Sequence, residues 1–207
     1  TTDMLHERTD FPVGTTRYTA GWRAVGASLS DVAAMGAEAT AAVAVYADES
    51  FEPEALDQFV AGAVDVCDAV DAEYVGGDLD THEEFTTAST AIGKVTAGGA
   101  VRRSAAALRR FDRGDPTSVE RANDLFRFVP RVADGLALAD DATAMMDSSD
   151  GLARSLHQLA EASGVGFTLD RDALPVHPAV DEVAESPEER FELAAHFGED
   201  FELVCTV

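Results

Sequence analysis

Two long amphipathic helix patterns with a strand pattern between them constrain the fold of this chain most. Residues 19–35 and residues 53–72 each repeat apolar side chains on one helical face, and Pro53 is a favoured first residue for the second helix. Residues 41–46 between them predict a strand, as do the short run at 74–75 and residues 85–95. This order of elements predicts an α+β domain with a mixed or antiparallel sheet.

The second half of the chain is also predicted to be α+β. Helix patterns cover residues 117–128, 131–139 and 187–196, and strand patterns cover 142–146, 166–169 and 201–207. A glycine-rich loop at 96–103, followed by an alanine-rich helix pattern from Ser104, predicts a domain boundary. We therefore expect an N-terminal domain over residues 1–102 and a C-terminal domain over 103–207. Because the chain starts without Met and ends inside a strand pattern, we expect further segments on both sides.

The charge of the chain excludes some functions. Its 207 residues include 39 acidic and 15 basic side chains, for a formal net charge of −24. Such a surface repels a phosphate backbone, so nucleic-acid binding is disfavoured. In addition, no apolar run approaches the roughly 18 residues of a membrane span. The acids are scattered, which is typical of proteins kept soluble in high salt, and this favours a halophilic cytoplasm. The two cysteines are predicted to be core residues in a reducing compartment.

Residues 147–150, Asp-Ser-Ser-Asp, lie where a strand pattern ends and a helix pattern begins. Ligand sites are common at such junctions, and we expect Asp147 and Asp150 on one side of the first helical turn. Two carboxylates held together repel each other unless a cation such as Mg²⁺ binds between them. The alternative is an ordinary helix N-cap with an acid in the first turn.

Three other acidic sites are candidates, each with a simple alternative. Asp31 lies in an Ala- and Gly-rich helix end, where a carboxylate needs a partner or a metal unless it faces water. Gly76, Gly77 and Asp78 follow a short strand, where glycines allow a ligand to approach the backbone, or form a plain turn. The first residues, Thr-Thr-Asp, offer hydroxyls beside the carboxylate of Asp3 for a cation or a phosphate, and a turn is again the alternative.

Together these motifs resemble one family, the thiamine-monophosphate kinases, which belong to the PurM-like superfamily of ATP-binding enzymes related to aminoimidazole-ribonucleotide synthetase. The matching motifs, in the family's order along nearly the whole chain, are residues 1–5 (Thr-Thr-Asp-Met-Leu), 30–37 (Ser-Asp-Val-Ala-Ala-Met-Gly-Ala), 76–78 (Gly-Gly-Asp), 147–152 (Asp-Ser-Ser-Asp-Gly-Leu) and 198–203 (Gly-Glu-Asp-Phe-Glu-Leu). The resemblance implies a two-domain PurM-like fold. In that fold, the N-terminal mixed sheet pairs with that of a second subunit to form a dimeric barrel.

The resemblance also implies a reaction, in which ATP phosphorylates thiamine monophosphate to thiamine diphosphate with the help of several Mg²⁺ ions. By matching position, the metal ligands would be Thr1, Thr2, Asp3, Asp31, Asp78, Asp147 and Asp150. The ATP contacts would be Gly77, Asp78, Arg103 and Ser149, and Glu199 would contact the thiamine substrate. Asp10 stands where the family has a substrate-contacting His, so by position the resemblance implies that it contacts the substrate. Residues that the family has before the first motif and beside Arg103 are absent from the sequence.

The implied chemistry needs no catalytic base or nucleophile. A phosphate acceptor is already deprotonated at neutral pH, so positioning and charge neutralisation suffice. Two alternatives stay open at this point. One is another PurM-like enzyme that uses ATP, namely aminoimidazole-ribonucleotide synthetase, selenophosphate synthetase or a hydrogenase-maturation enzyme. The other is an acidic cation-binding module without catalytic activity.

Overall fold

The computed structural model describes residues 1–95 and 109–207. The N-terminal part comprises β1 (Thr2–His6), α1 (Glu7–Asp10), α2 (Arg17–Ala34), β2 (Ala37–Asp48), α3 (Pro53–Asp68), β3 (Glu73–Thr81) and β4 (Thr86–Val95). The C-terminal part comprises α4 (Pro116–Phe126), α5 (Val132–Leu138), β5 (Ala144–Ser148), α6 (Leu152–Ser163), α7 (Pro178–Asp181), α8 (Pro187–Ala195) and β6 (Glu202–Thr206). The predicted boundary loop at 96–103 and the start of the helix predicted from Ser104 lie outside the described residues.

The N-terminal part is built on a four-stranded mixed sheet. Its strand order is β1-β4-β2-β3, with β1 and β2 antiparallel to β4 and with β2 parallel to β3. Helices α2 and α3 cover one face of this sheet, and Val25, Leu29 and Phe59 are almost fully buried between the layers. The α+β class and the mixed sheet predicted from the sequence are confirmed.

Helices α2 and α3 lie unusually close together because each has a glycine at the crossing. A Cβ atom added to Gly62 would lie 1.9 Å from the carbonyl oxygen of Tyr18, and one added to Gly21 would lie 2.0 Å from that of Phe59. No side chain fits into that space, so the backbones themselves are in contact. This contact fixes α2, which carries Asp31, against α3.

The other face of the sheet, which we call the outer face, is not covered by the described helices. Side chains alternate along a strand, so that Ser89 contacts α2 while Thr90 and Ile92 lie on the opposite face. Met4 and Val43 share this outer face through their pairing with Ala88 and Thr90. Met4 is 56%, Val43 37% and Ile92 64% exposed, so the outer face carries apolar side chains in contact with solvent.

The C-terminal part contains a two-stranded antiparallel sheet and its own core. Strands β5 and β6 pair with Asp147 opposite Leu203. Buried residues from α4, α7 and α8, including Phe126 and Val180, form a separate hydrophobic cluster. A third cluster joins the two parts, because Ala27 of α2 packs with the stacked rings of Phe128 and Phe201, whose centroids are 4.5 Å apart. Among the described residues, no helix combines the length and apolar character that crossing a membrane requires.

Four sequence predictions about local structure were wrong. Gly76, Gly77 and Asp78 do not follow a strand but lie inside β3, because pairing with β2 continues to Thr81. Residues 166–169 form no strand, and Phe167 and Leu169 stay exposed rather than packing into a sheet. Residues 2–6 form β1 rather than a turn, because they pair with β4. Helix α3 ends at Asp68 instead of continuing to residue 72.

Candidate functional site

Asp31 lies in the last turn of α2 and contacts the start of β1. The hydroxyl of Thr1 donates a hydrogen bond to the Asp31 carboxylate. Asp31 is partly exposed, so it neither faces water freely nor is sealed in the core. The preceding residue, Ser30, is fully buried, and its hydroxyl lies 3.3 Å from a carboxylate oxygen of Asp147. The end of α2 therefore brings the first motif and the 147–152 motif to one place.

Asp147 is the electrostatic centre of this place. Its pKa is raised to about 6, first because the carboxylate is buried and then because the carboxylates of Asp31 and Asp3 repel it. The hydrogen bond from Ser30 acts in the opposite direction and favours the charged form. Asp3 from β1, Asp31 from α2 and Asp147 from β5 thus share one neighbourhood, which we call the acidic cluster.

Asp3 connects the acidic cluster to Asp10. Burial raises the pKa of Asp3, and the nearby carboxylates of Asp31 and Asp10 raise it further, against a 2.8 Å hydrogen bond from the Met4 amide. The Asp10 carboxylate itself accepts hydrogen bonds from the backbone amide of His6 and from the hydroxyl of Thr9. Asp10 is therefore held in a fixed position beside the acidic cluster.

The turn formed by residues 198–201, which we call the 198–201 turn, brings Glu199 to the same region. Its backbone is held against the end of β5, because the amides of Glu199 and Phe201 donate to the carbonyl oxygens of Ser149 and Ser148 at 2.5 and 3.2 Å. The pKa of Glu199 is raised by burial and by the carboxylates of Asp10 and Asp3, whereas the ion pair with Arg23 opposes this. Glu199 thus lies on the Asp10 side of the acidic cluster.

The alternative of an ordinary N-cap within residues 147–150 was wrong, as was the expected placement of Asp147 and Asp150 on one side of the first helical turn. The N-cap of α6 is Gly151, which adopts a φ of 94° and offers no side chain for capping. Asp147 belongs to β5, and the exposed carboxylate of Asp150 lies 3.3 Å from Arg154 on α6. The strand continues one residue past the acid, and the glycine then turns the chain into the helix.

Three other predicted ligands lie apart from the acidic cluster, and one lies outside the described residues. Asp78 and Gly77 are on β3, at the opposite edge of the sheet from Asp3, and three strand spacings separate these edges by about 14 Å. Thr2 places its hydroxyl 2.9 Å from that of Thr90, on the outer face. Arg103 is outside the described residues.

The surroundings of Gly77 explain why a glycine is needed there. A Cβ atom on Gly77 would lie 1.7 Å from the carbonyl oxygen of Ala44, so β2 and β3 could not pair with any larger residue at this point. A cavity of about 390 Å³ opens beside it, between β3 and α3, and is lined by Tyr74, Leu56 and Val60 as well as by Asp78. This part of the predicted ATP site therefore borders a largely apolar space.

Within residues 1–95 and 109–207, no three His, Cys, Asp or Glu side chains form a ready-made metal site. The acidic cluster nevertheless has the donor chemistry of one, because partly buried carboxylates that repel one another favour a bound divalent cation.

Comparison with known proteins identifies the family. Residues 1–95 match the family model of the AIR synthase related protein N-terminal domain, and residues 103–207 match that of the C-terminal domain. The thiamine-monophosphate kinase of Halobacterium salinarum is 60% identical over all of this chain and 75% of its own length. The chain belongs to the thiamine-monophosphate kinase family. The halophilic origin predicted from the charge agrees with this relative.

Solved structures of thiamine-monophosphate kinases have the same fold. The enzyme from Stenotrophomonas maltophilia K279a superposes with a TM-score of 0.88 at 28% identity, over 100% of this chain and 73% of its own. The structure of AaThiL complexed with AMPPCP and TMP superposes with a TM-score of 0.83 at 24% identity, over 99% of this chain and 73% of its own. The PurM-like two-part architecture expected of the family is therefore confirmed for this thiamine-monophosphate kinase family member.

Sequence reasoning missed two residues of the site. Ser30 was quoted only as part of a motif, although its buried hydroxyl joins α2 to Asp147 and to the carbonyl oxygen of Phe201. Arg23 was not considered, although its guanidinium contacts Glu199. The available signal was a single arginine between Trp22 and Ala24 on the apolar side of a helix, in a chain with few basic residues.

Proposed function

We propose that this chain catalyses the ATP-dependent phosphorylation of thiamine monophosphate to thiamine diphosphate. The 60% identity over its whole length to a thiamine-monophosphate kinase supports this activity over the other PurM-like enzymes. The structural observation that carries the proposal is the convergence of Asp3, Asp31 and Asp147 from three separate elements. A cation-binding module without catalytic activity could also bring these three carboxylates together, and it is the identity to a kinase over the whole chain that favours the enzyme.

We infer that the acidic cluster holds Mg²⁺, because its oxygen donors suit a hard divalent cation. Asp3, Asp31 and Asp147 would be the central ligands, with Thr1 and Asp150 as further ligands implied by the family pattern. That pattern also implies Thr2 and Asp78, which lie apart from the acidic cluster within one chain. Bound Mg²⁺ would neutralise the charge of the reacting phosphates.

The side chains themselves position the two substrates. Gly77, Asp78, Ser149 and Arg103 are proposed to contact ATP, and the cavity beside Gly77 is compatible with this role. Glu199 and Asp10 are proposed to contact thiamine monophosphate, whose thiazolium ring carries a positive charge that carboxylates attract. The acceptor phosphate is already anionic, so none of these residues has to remove a proton from it.

We further propose that the protein is a cytoplasmic homodimer. The exposed apolar side chains Met4, Val43 and Ile92 on the outer face support pairing of that face with a second copy. Such a pairing would also place Thr2 and Asp78 next to the partner, because Asp78 pairs with Val45, which lies two positions from Val43 on the same face. The division into domains at residues 102 and 103 stays a prediction, because it lies outside the described residues.

The test is turnover by the full-length protein in high-salt buffer. Purified protein is incubated with thiamine monophosphate, ATP and MgCl₂, and thiamine diphosphate and ADP are quantified by chromatography. We expect equal amounts of both products and no product when thiamine monophosphate is replaced by thiamine. ADP without thiamine diphosphate, from folded protein, would rule out the proposed acceptor.

A further inference from the structure

Arg23 is a buried cation on α2 that lies among aromatic rings. Its side chain is 2% exposed, and its guanidinium carbon lies 3.7 Å from the ring centroid of Phe126. The rings of Phe128 and Phe201 are also near, at 5.3 and 5.4 Å. A charge buried in this way is strongly unfavourable unless it is hydrogen-bonded and paired. The contacts of the guanidinium therefore reveal its role.

The guanidinium of Arg23 joins two separate segments of the C-terminal part. Its Nη1 donates to the carbonyl oxygen of Phe126 at 2.8 Å. Its Nη2 donates to the carboxylate of Glu199, and both nitrogens lie 3.4 Å from the backbone carbonyl oxygen of the same residue. One arginine thus holds both the side chain and the backbone of Glu199, and the planar fork of its donors suits this double contact.

The 198–201 turn needs such support because its backbone is strained. Glu199 and Phe201 have φ values of 70° and 50°, in the left-handed region that side chains with a Cβ atom rarely adopt. Residues in this region persist only where their surroundings fix them, and they concentrate at functional sites. The end of β5 and the hydroxyl of Ser30 hold the turn from one side. Arg23 holds it at Glu199.

Arg23 also compensates the negative charge of Glu199, which faces other acids across the site. The side chain of Glu199 is 41% exposed, and the carboxylates of Asp10 and Asp3 repel it. Without the cation behind it, this carboxylate would lose a contact that opposes its repulsion by Asp10 and Asp3. Arg23 is therefore placed to decide where the Glu199 carboxylate points.

We propose that Arg23 is a positioning residue that fixes Glu199 and the 198–201 turn for binding of the phosphorylated thiamine substrate. This inference rests on the proposed function, since Glu199 is the residue assigned to that substrate. Arg23 does not touch the substrate itself. Its effect should therefore be seen in the affinity for thiamine monophosphate, whereas the affinity for ATP and the rate at saturation should change less.

Steady-state kinetics of full-length Arg23→Lys, Arg23→Met and Glu199→Gln test the proposal. Loss of a charge-assisted contact should raise KM for thiamine monophosphate by at least about tenfold in Arg23→Met. KM for ATP should stay within about threefold, and Arg23→Lys should lie between wild type and Arg23→Met, because lysine keeps the charge without the fork. The double variant, Arg23→Met with Glu199→Gln, should raise KM for thiamine monophosphate no more than the more impaired of the two single variants, since both substitutions act through one contact.

Arg127→Gln is the matched control. Arg127 follows Phe126 directly in the chain, and its guanidinium donates to the hydroxyl of Thr19 on α2 at 3.0 Å and pairs with Asp124. Arg127→Gln should lose some thermal stability, with KM for thiamine monophosphate unchanged. If Arg127→Gln and Arg23→Lys raised this KM equally, or if both changed only the melting temperature, Arg23 would be merely structural and the proposal would be wrong.

Amide hydrogen exchange of residues 198–201 separates this proposal from the proposed function. We expect faster exchange in Arg23→Met and in Arg23→Lys than in wild type or Arg127→Gln, whatever the substrate is. If the wild type is active but both Arg23 variants show wild-type exchange and wild-type KM, the proposed role of Arg23 is refuted and the kinase function is not. An inactive wild type in which only the Arg23 variants exchange faster would refute the kinase and leave the hold on the turn established.

Discussion

Ser30 and Asp147 connect the two parts of the molecule at the acidic cluster. The fully buried hydroxyl of Ser30 lies 3.3 Å from a carboxylate oxygen of Asp147 and 3.2 Å from the carbonyl oxygen of Phe201, so one proton serves two acceptors. Through this one side chain, α2 holds both the strand that carries Asp147 and the turn that carries Glu199. The site therefore depends on how the N-terminal helix docks against the C-terminal part.

Replacing Ser30 with alanine should weaken this docking. The variant removes the hydroxyl of that contact and leaves the buried carbonyl oxygen of Phe201 and the partly buried carboxylate of Asp147 short of a donor, which costs about 1–3 kcal/mol. We expect lower stability in denaturant unfolding and slower turnover. Ser28→Ala is the control, because Ser28 is equally buried on the same helix but bonds Ser89 at 2.8 Å, away from the acidic cluster. It should lose stability without a matching loss of turnover in the folded protein.

The stability of the metal-free protein should fall as the pH rises from about 4 to 6. The pKa of Asp147 is raised from 3.8 to about 6, so in this range the folded state binds a proton that the unfolded state has released. The contribution of Asp147 to stability is therefore fully present below its pKa in the unfolded chain, and it is lost as the pH rises through its pKa in the folded protein. The shift corresponds to roughly 2–3 kcal/mol.

Asp147→Asn should flatten this pH dependence. Denaturant midpoints measured in EDTA across the range should become nearly constant for the variant, and the metal-free variant should be more stable than wild type at pH 7. MgCl₂ should stabilise the wild type at pH 7 and the variant much less. The exposed Asp141→Asn serves as control and should keep the wild-type profile. A wild-type profile in Asp147→Asn would show that the raised pKa belongs elsewhere.

Asp150 is a test of function without a large effect on folding. Its carboxylate is exposed and paired only with the exposed Arg154 among its described ion pairs, and such pairs contribute about 0–1 kcal/mol. Asp150→Asn should therefore melt within a few degrees of wild type, yet turnover should fall at least about a hundredfold if the carboxylate binds Mg²⁺.

The matched control for Asp150 is Glu161→Gln. Glu161 forms a comparable exposed i,i+4 pair with His157 on the same helix. The Glu161→Gln variant should keep the melting temperature and the turnover of the wild type. Equal turnover in Asp150→Asn and Glu161→Gln would remove Asp150 from the ligand set.

Local patterns predicted the elements that bury a regular face. Residues 17–34 and 53–68 were predictable as helices because their apolar side chains repeat with the helical period, and their packing on a sheet follows from that. Strand β1 was not predictable in this way, because it forms through pairing with β4, whose paired residues lie 80 to 88 positions away in sequence. The extension of β3 through Gly76 and Gly77 likewise depends on its neighbour β2.

The site was predictable only as separate motifs. Spacing could mark Asp3, Asp31 and Asp147 as acids in unusual surroundings, but their convergence depends on the docking of α2 against β1 and β5. Arg23 is the clearest omission, because its significance comes from Glu199, 176 positions further along the chain. Whether Asp78 and Gly77 reach the acidic cluster of the same chain or of a second copy depends on assembly, which no single-chain pattern describes.

Assembly is therefore the last prediction. The outer face of the sheet should form the dimer interface, and Ile92, at 64% exposure, lies on it. Ile92→Glu would place a charge in an apolar interface, which is strongly unfavourable without a partner charge. We expect the full-length wild type to sediment as a dimer and Ile92→Glu as a monomer, with turnover lost if the partner contributes to the site. Val165→Glu adds the same charge at an equally accessible site, 54% exposed and outside the sheet, and should remain dimeric. A dimeric Ile92→Glu variant would place the interface elsewhere.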